Sequence, residues 1–294
     1  MEQELLRFSA YLEQERHMAR NTLVSYERDL RQLRLWLAGF GIENTEDVTE
    51  QRLAAYVSWL EQAGKATTTI SRVVASMKLF FAYEAQMGIL PESPAENLKA
   101  PKVEKKAPTV LTGQEVEAFL RQTQGRSLKK LRDRAMLELL CATGLRVSEL
   151  IDLKVSDVNL SVGIVSCRES EHERMIPFGR EVQDALQQYM TEARARLLKD
   201  NETDILFVNI SGKAMSRQGF WKIIKHYGDK AGIRKDITPQ SLRNSFAANL
   251  VQSGADMRSV QNMLGHSDLS VTHAFVSGLG AGTGAERLVG GRKR

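Results

Sequence analysis

Arg146 stands just past the glycine that ends an apolar run in "CATGLRVSELIDL", with Glu149 in the next turn. A guanidinium at such a corner has two readings. It pairs with Glu149 or another acid, or it is aimed outward at a phosphate, whose oxygens match its planar fork. Gln240 and Arg243 lie in "ITPQSLRNSFAANL" at a spacing that puts them on one helix face. His266 follows Gly265 at the end of "MRSVQNMLGH". Arg146, Arg243 and His266 brought together would form a site for one phosphate diester. Further on, "LSVTHAF" ends at Phe275, a ring with no hydroxyl, and no tyrosine follows Tyr227. Ser267, Ser270, Thr272 and Ser277 carry hydroxyls there. A hydroxyl without a positioned base is a poor nucleophile.

The elements that must position these residues can be read from periodicity and caps. Four amphipathic segments fill the first hundred residues: "ELLRFSAYLEQER", "RNTLVSYERDLRQLRLWLAGFG", "TEQRLAAYVSWLEQAGK" and "TTTISRVVASMKLFFAYEAQMGI". They predict a small helical bundle, the second helix capped by Asn21 and stopped at Gly39 and Gly41. "LKAPKVEKKAPTVLT", with its prolines and charges, reads as an exposed linker. Thr112 and Glu115 then have capping-box spacing, and "KKLRDRAMLELLCATG" is an apolar helix ending at Gly144. "GIVSC" and "RMIPF", separated by "RESEHE", predict a hairpin. "REVQDALQQYMTEARARLLK" is a long amphipathic helix and "DILFVN" a short buried strand. Helices over "SRQGFWKIIKHYGDKAGI", "PQSLRNSFAANLVQSG", "MRSVQNMLGH" and "LSVTHAF" follow. Pro239 starts the second of these, with Leu242, Phe246, Ala247 and Leu250 as its buried stripe. The glycine-rich tail "GLGAGTGAERLVGGRKR" is expected to be mobile.

Composition narrows the class. With 42% apolar and 26% charged residues the chain is globular. No apolar run is long enough to span a bilayer, and the N-terminus lacks a signal-peptide layout. Cys141 and Cys167 predict two buried, reduced thiols in a cytoplasmic protein rather than a disulfide or a metal site. The first 108 residues carry 14 Lys and Arg against 15 Asp and Glu, and the remainder 27 against 21. The basic excess of the second part suggests a polyanion, nucleic acid first. Groove-facing candidates are the helix faces around Thr67–Lys78 and around Ser216–Lys225, where Arg217, Lys222 and Lys225 would contact DNA. The alternative for these charges is a solvated helix face.

The strings "NTLVSYERDLRQLRLWL", "ATGLRVSEL" and "ITPxxLRxSFAxxLxxxGADxRxVQxxLGHS", with x for unmatched positions, carry a resemblance. The chain resembles the tyrosine recombinases (phage integrase family), Xer-type in layout, from about residue 3 to about 276. The resemblance implies a mainly α fold with a small β-sheet or hairpin. A helical, SAM-like core-binding domain would span residues 1–100, a linker 101–109, a mixed α/β catalytic-type domain 110–276 and a basic tail 277–294. It implies a clamp around double-stranded DNA and a tyrosine that forms a 3′-phosphotyrosine link. The cations neutralise charge on the phosphoryl oxygens. No metal or nucleotide cofactor is implied.

Residue by residue, the family's two arginines fall on Arg146 and Arg243, its acidic helper on Glu149 and its later histidine on His266. Three positions depart from the pattern. The histidine before the second arginine is Gln240, which carries no charge and shuttles no proton. The hairpin lysine is Glu169, whose carboxylate repels phosphate, although a one-residue slip of register would present Arg168 instead. The tyrosine is Phe275. The expectation is therefore a DNA-binding homologue unable to cleave DNA. A regulatory subunit beside an active paralogous recombinase is the second reading. A recombinase using an unusual nucleophile is the third. Family members assemble as rings on DNA, but the glycine-rich tail makes a poor docking helix, so a monomer is expected in solution.

Overall fold

The computed structural model describes residues 1–103, 107–169 and 172–265, the side chains of residues 168, 169 and 172 excepted. The expected helix over "LSVTHAF", the tail and part of the linker lie outside the described residues. The chain divides into two compact units, Met1–Lys105 and Lys106–Arg294.

The first unit is the expected four-helix arrangement: α1 (Glu2–Gln14), α2 (Arg20–Ala38), α3 (Glu50–Gln62) and α4 (Thr67–Gln86). Each helix turns one apolar stripe inward, and Phe8, Leu33, Leu37, Tyr56, Met77 and Phe81 are almost fully buried. Asn21 is not the cap of α2. The helix starts at Arg20 with Ala19 as its non-helical flank, which places Asn21 inside the first turn. Two of the basic residues on the Thr67–Lys78 face are committed within the unit. Arg72 is paired with the buried Asp29, and Lys78 Nζ donates to the Glu96 carbonyl at 2.9 Å. What that face leaves exposed is Thr67, Thr68 and Ala75.

The second unit begins with α5 (Gly113–Arg121), entered through the capping box of Thr112 and Glu115. Helix α6 (Leu128–Thr143) is buried along most of its length and stops at Gly144, whose φ is +61°. The short α7 (Val147–Asp152) follows with Arg146 as its N-terminal flank. The hairpin is present as β2 (Ile164–Glu169) and β3 (His172–Pro177), which reach into the polar "RESEHE" stretch. A short β1 (Val158–Asn159) joins it in an antiparallel sheet of order β1-β2-β3. The register pairs Cys167 with Arg174, Arg168 with Glu173 and Glu169 with His172.

The long amphipathic helix runs as α8 (Arg180–Gln188), a π-helical stretch (Tyr189–Arg194) and α9 (Ala195–Leu198). "DILFVN" is not a strand. Leu206, Phe207 and Val208 are buried as expected, but the segment makes only isolated bridges, at Ile205 and Val208. Arg194 donates to the carbonyls of Thr203, Ile205 and Leu206, and the segment's main-chain bonds are split between two neighbours, Leu153 and Val155 on one side and Lys213 and Met215 on the other. Apolar content in a short run marks burial, and burial alone does not supply a sheet partner.

Helices α10 (Arg217–Lys230), α11 (Pro239–Gln252) and α12 (Met257–Leu264) complete the unit. α11 packs on α6, and α12 packs on both α11 and β3. Leu242, Phe246 and Ala247 are buried, whereas Leu250 is only half-buried because α11 nears its end there. Cys167 is buried and Cys141 half-buried, against the expectation of two buried thiols. Burial raises the Cys167 thiol to about 12, so it is inert as a nucleophile near neutrality. Among the described residues no helix is long and apolar enough to cross a membrane, and no cluster of metal-ligating side chains occurs.

Gly144 sets the corner from which the site is built. A Cβ added there would sit 2.4 Å from the Phe246 ring and 3.0 Å from Leu264, on a backbone that disfavours L side chains. Gly144→Ala is expected to lower stability by about 2–4 kcal/mol, combining left-handed strain with overpacking. Denaturant titration of the full chain checks it, and a loss below about 1 kcal/mol would show that the corner can relax.

Candidate phosphate-binding site

The αL turn at Gly144 aims the chain so that Arg146 begins α7. Glu149, one turn on, folds back to it. Its carboxylate accepts from the Arg146 main-chain N–H at 2.6 Å and from Nη1 at 3.0 Å. The pairing of Arg146 with Glu149 is thus realised. It does not consume the whole guanidinium, because Nη2 donates to the Gly265 carbonyl at 2.5 Å and the side chain stays 33% exposed.

Arg243 is held differently. Helix α11 is entered through Thr238, whose hydroxyl accepts from the Ser241 N–H, and through Pro239 in the first turn. Its middle is buried even at polar positions: Ser241, Arg243, Asn244 and Ser245 are all covered. Arg243 is only 4% exposed. It donates to the Gly144 carbonyl at 2.5 Å and to the Leu264 carbonyl. Gln240, one turn earlier, donates to the Asn244 side chain at 2.9 Å.

Arg146, Arg217, Gln240 and Arg243 line one open cleft of about 350 Å³ with Ser148 and Thr238. Among the described residues that line it there is no carboxylate. A larger cleft of about 610 Å³ on the other side of Arg146 is lined by Glu149, Asp152 and Asp157 as well as Lys154. Among the described residues, the first cleft thus presents arginines and neutral side chains, and the second presents three carboxylates beside Arg146 and Lys154.

The sequence-predicted residues divide accordingly. Arg146, Arg243, Gln240 and Arg217 meet in one place. Lys222 is exposed on α10. Lys225 is paired with Asp236 and sits 5.3 Å from the centre of the exposed Trp221 ring, so much of its charge is already answered. His266, Phe275 and the side chain of Glu169 lie outside the described residues. One residue was missed: Arg174 on β3. Its Nη2 donates to both oxygens of Glu149, at 2.6 and 2.7 Å, and its Nε donates to the Met263 carbonyl at 3.1 Å. The signal for it is strand alternation. Arg174 shares parity with the buried Ile176 and Phe178, while Glu173 and Met175 point out.

A two-unit chain of this layout is found in known proteins. Residues 109–277 match the phage integrase family, and residues 5–88 match the phage integrase N-terminal SAM-like domain. The chain belongs to the phage integrase family. Its kinship there is with Xer-type tyrosine recombinases. It is 40% identical over 273 residues to the tyrosine recombinase XerD of Halalkalibacterium halodurans, covering 92% of this chain and 91% of that one. The fold is shared with a lambda integrase dimer bound to a COC′ core site, with a TM-score of 0.73 and 18% identity, covering 98% and 99% of the two chains. It is also shared with the XerH site-specific recombinase in a post-cleavage complex with a palindromic difH substrate, with a TM-score of 0.71 and 22% identity, covering 92% and 81%.

Proposed function

We propose that this chain is a DNA-binding tyrosine-recombinase homologue that holds a backbone phosphate without cleaving the strand. The observation that carries the reading is the cleft where Arg146, Arg217 and Arg243 converge with no carboxylate among the described lining residues. Arg146 would contact the phosphate, Arg217 would stand at the rim, and the buried Arg243 would set the floor. His266 would join them, as the family pattern implies. Phosphate contacts of this kind give affinity and salt dependence but little sequence information. Sequence choice would come from the exposed part of α10. Double-stranded DNA is the proposed partner, as for the relatives solved on their core and difH sites, and the cytoplasmic location belongs to the same proposal. Inability to cleave follows from residue types: Phe275, Glu169 and Gln240 stand where the family uses tyrosine, lysine and histidine.

The test is fluorescence anisotropy on a duplex of about 30 base pairs of arbitrary sequence, from 50 to 200 mM salt. Arg146→Ala is expected to weaken binding roughly tenfold and to reduce the log–log salt slope by about one. Arg217→Ala should have a smaller effect of the same kind. Lys225→Ala should change little, because Asp236 already holds that ammonium. Unchanged affinity and slope in Arg146→Ala would sink the phosphate reading.

A further inference from the structure

We infer that Arg174 is a positioning residue for the phosphate-facing guanidinium of Arg146, an inference that rests on the phosphate reading of the cleft. The three guanidiniums that rest on the end of α12 differ in exposure. Arg146 is 33% exposed, Arg174 13% and Arg243 4%. Arg174 is not among the residues lining the carboxylate-poor cleft. It acts from behind, through two contacts.

The first contact is Glu149. Its carboxylate lies between two guanidiniums, taking Arg174 Nη2 on both oxygens and the main-chain N–H and Nη1 of Arg146. A carboxylate held from one side can follow its partner; one held from both sides is fixed. The charge balance matters equally. Among the described contacts one carboxylate, Glu149, is shared between two guanidiniums, so it answers Arg146 only in part. Without Arg174, Glu149 would neutralise Arg146 and draw it out of the cleft.

The second contact is the end of α12. Three consecutive carbonyls there accept from three arginines of three different elements: Met263 from Arg174, Leu264 from Arg243 and Gly265 from Arg146. These are the carbonyls a helix leaves without intrahelical partners, at the negative end of its dipole. Arg174 therefore fixes the same helix end on which Arg146 rests, and β3 is tied to the site through both.

The test is a double-mutant cycle on the full chain, using the duplex and salt range above. Arg174→Ala is expected to weaken DNA binding roughly 5- to 20-fold when Arg146 is present, and less than about twofold in an Arg146→Ala background. In that background the salt slope should not fall further. Equal losses in both backgrounds, or a further drop of about 0.9 in slope, would make Arg174 a direct phosphate contact and overturn the inference. Lowered thermal stability with unchanged affinity would make it a structural residue only, and would also overturn it. If Arg174→Ala does not fold, Arg174→Lys enters the same cycle. Lysine keeps the charge but cannot span Glu149 and Met263 together, so the same non-additive loss is expected at smaller size. If Arg146→Ala alone has no effect, the phosphate reading fails. If Arg146 matters and the effects add, only the role of Arg174 fails.

Discussion

Incubated with a nicked duplex carrying a Xer-type recombination site, the chain is expected to yield no covalent protein–DNA product. The yield should lie at least about 10⁴-fold below that of an active recombinase on the same DNA, because loss of a nucleophile removes the covalent step itself. The argument is one of residue type. Phenylalanine at 275 has no oxygen to attack phosphorus. A carboxylate at 169, where the family pattern has the lysine that protonates the leaving oxygen, would repel the phosphate and could not serve as its cationic acid. Gln240 reaches the cleft but hydrogen-bonds Asn244 and carries no titratable proton. Phe275→Tyr alone should restore at most a trace of product on a denaturing gel. Adding Glu169→Lys and then Gln240→His should raise it stepwise. A covalent product from the unaltered chain would overturn the expectation, and peptide mapping would then name the hydroxyl responsible.

Arg243→Ala is expected to destabilise the second unit by about 3–5 kcal/mol. The substitution strands two carbonyls, Gly144 and Leu264, that accept from this guanidinium in a site shielded from water. Each buried group left unpaired costs about 1–3 kcal/mol, and the packing of the side chain is lost as well. For a unit of this size the melting temperature should fall by roughly 6–20 °C. Arg243→Lys should recover part of it, because one ammonium reaches one carbonyl but lacks the fork for two. A drop under about 3 °C for the alanine variant would mean that Arg243 is held for its ligand and not for the fold.

The fold was largely legible in the sequence. Apolar periodicity marks the helices, and turn residues such as Gly144, Thr112 and Pro239 stand where the chain bends or begins a helix. The errors have local causes. Asn21 has the residue type of a cap, yet α2 starts at Arg20 with Ala19 as its flank, two residues earlier. "DILFVN" is apolar without being a strand, because its main-chain bonds are split between two short neighbours and Arg194 takes the carbonyls of Ile205 and Leu206. In the site, Arg146, Gln240 and Arg243 could be assembled from motif spacing. Arg174 could not, because its role depends on register: it faces Cys167 across the hairpin and reaches Glu149 only when β3 and α7 are packed. The burial of Arg243 was hidden by its charge, because by spacing it lies on the same face as Phe246, Ala247 and Leu250.

The convergence of three arginines on the end of α12 has a consequence for the chain during synthesis. Arg146 and Arg174 leave the ribosome well before residues 263–265 exist, by roughly 5–20 s at ordinary elongation rates. In that interval two cations that share one carboxylate in the finished fold wait without the carbonyls that later receive them. Long-range closure of this kind is slow to form and late to reward the chain. The order of synthesis thus leaves the arginine ends of this network waiting for the carbonyls of the last described helix.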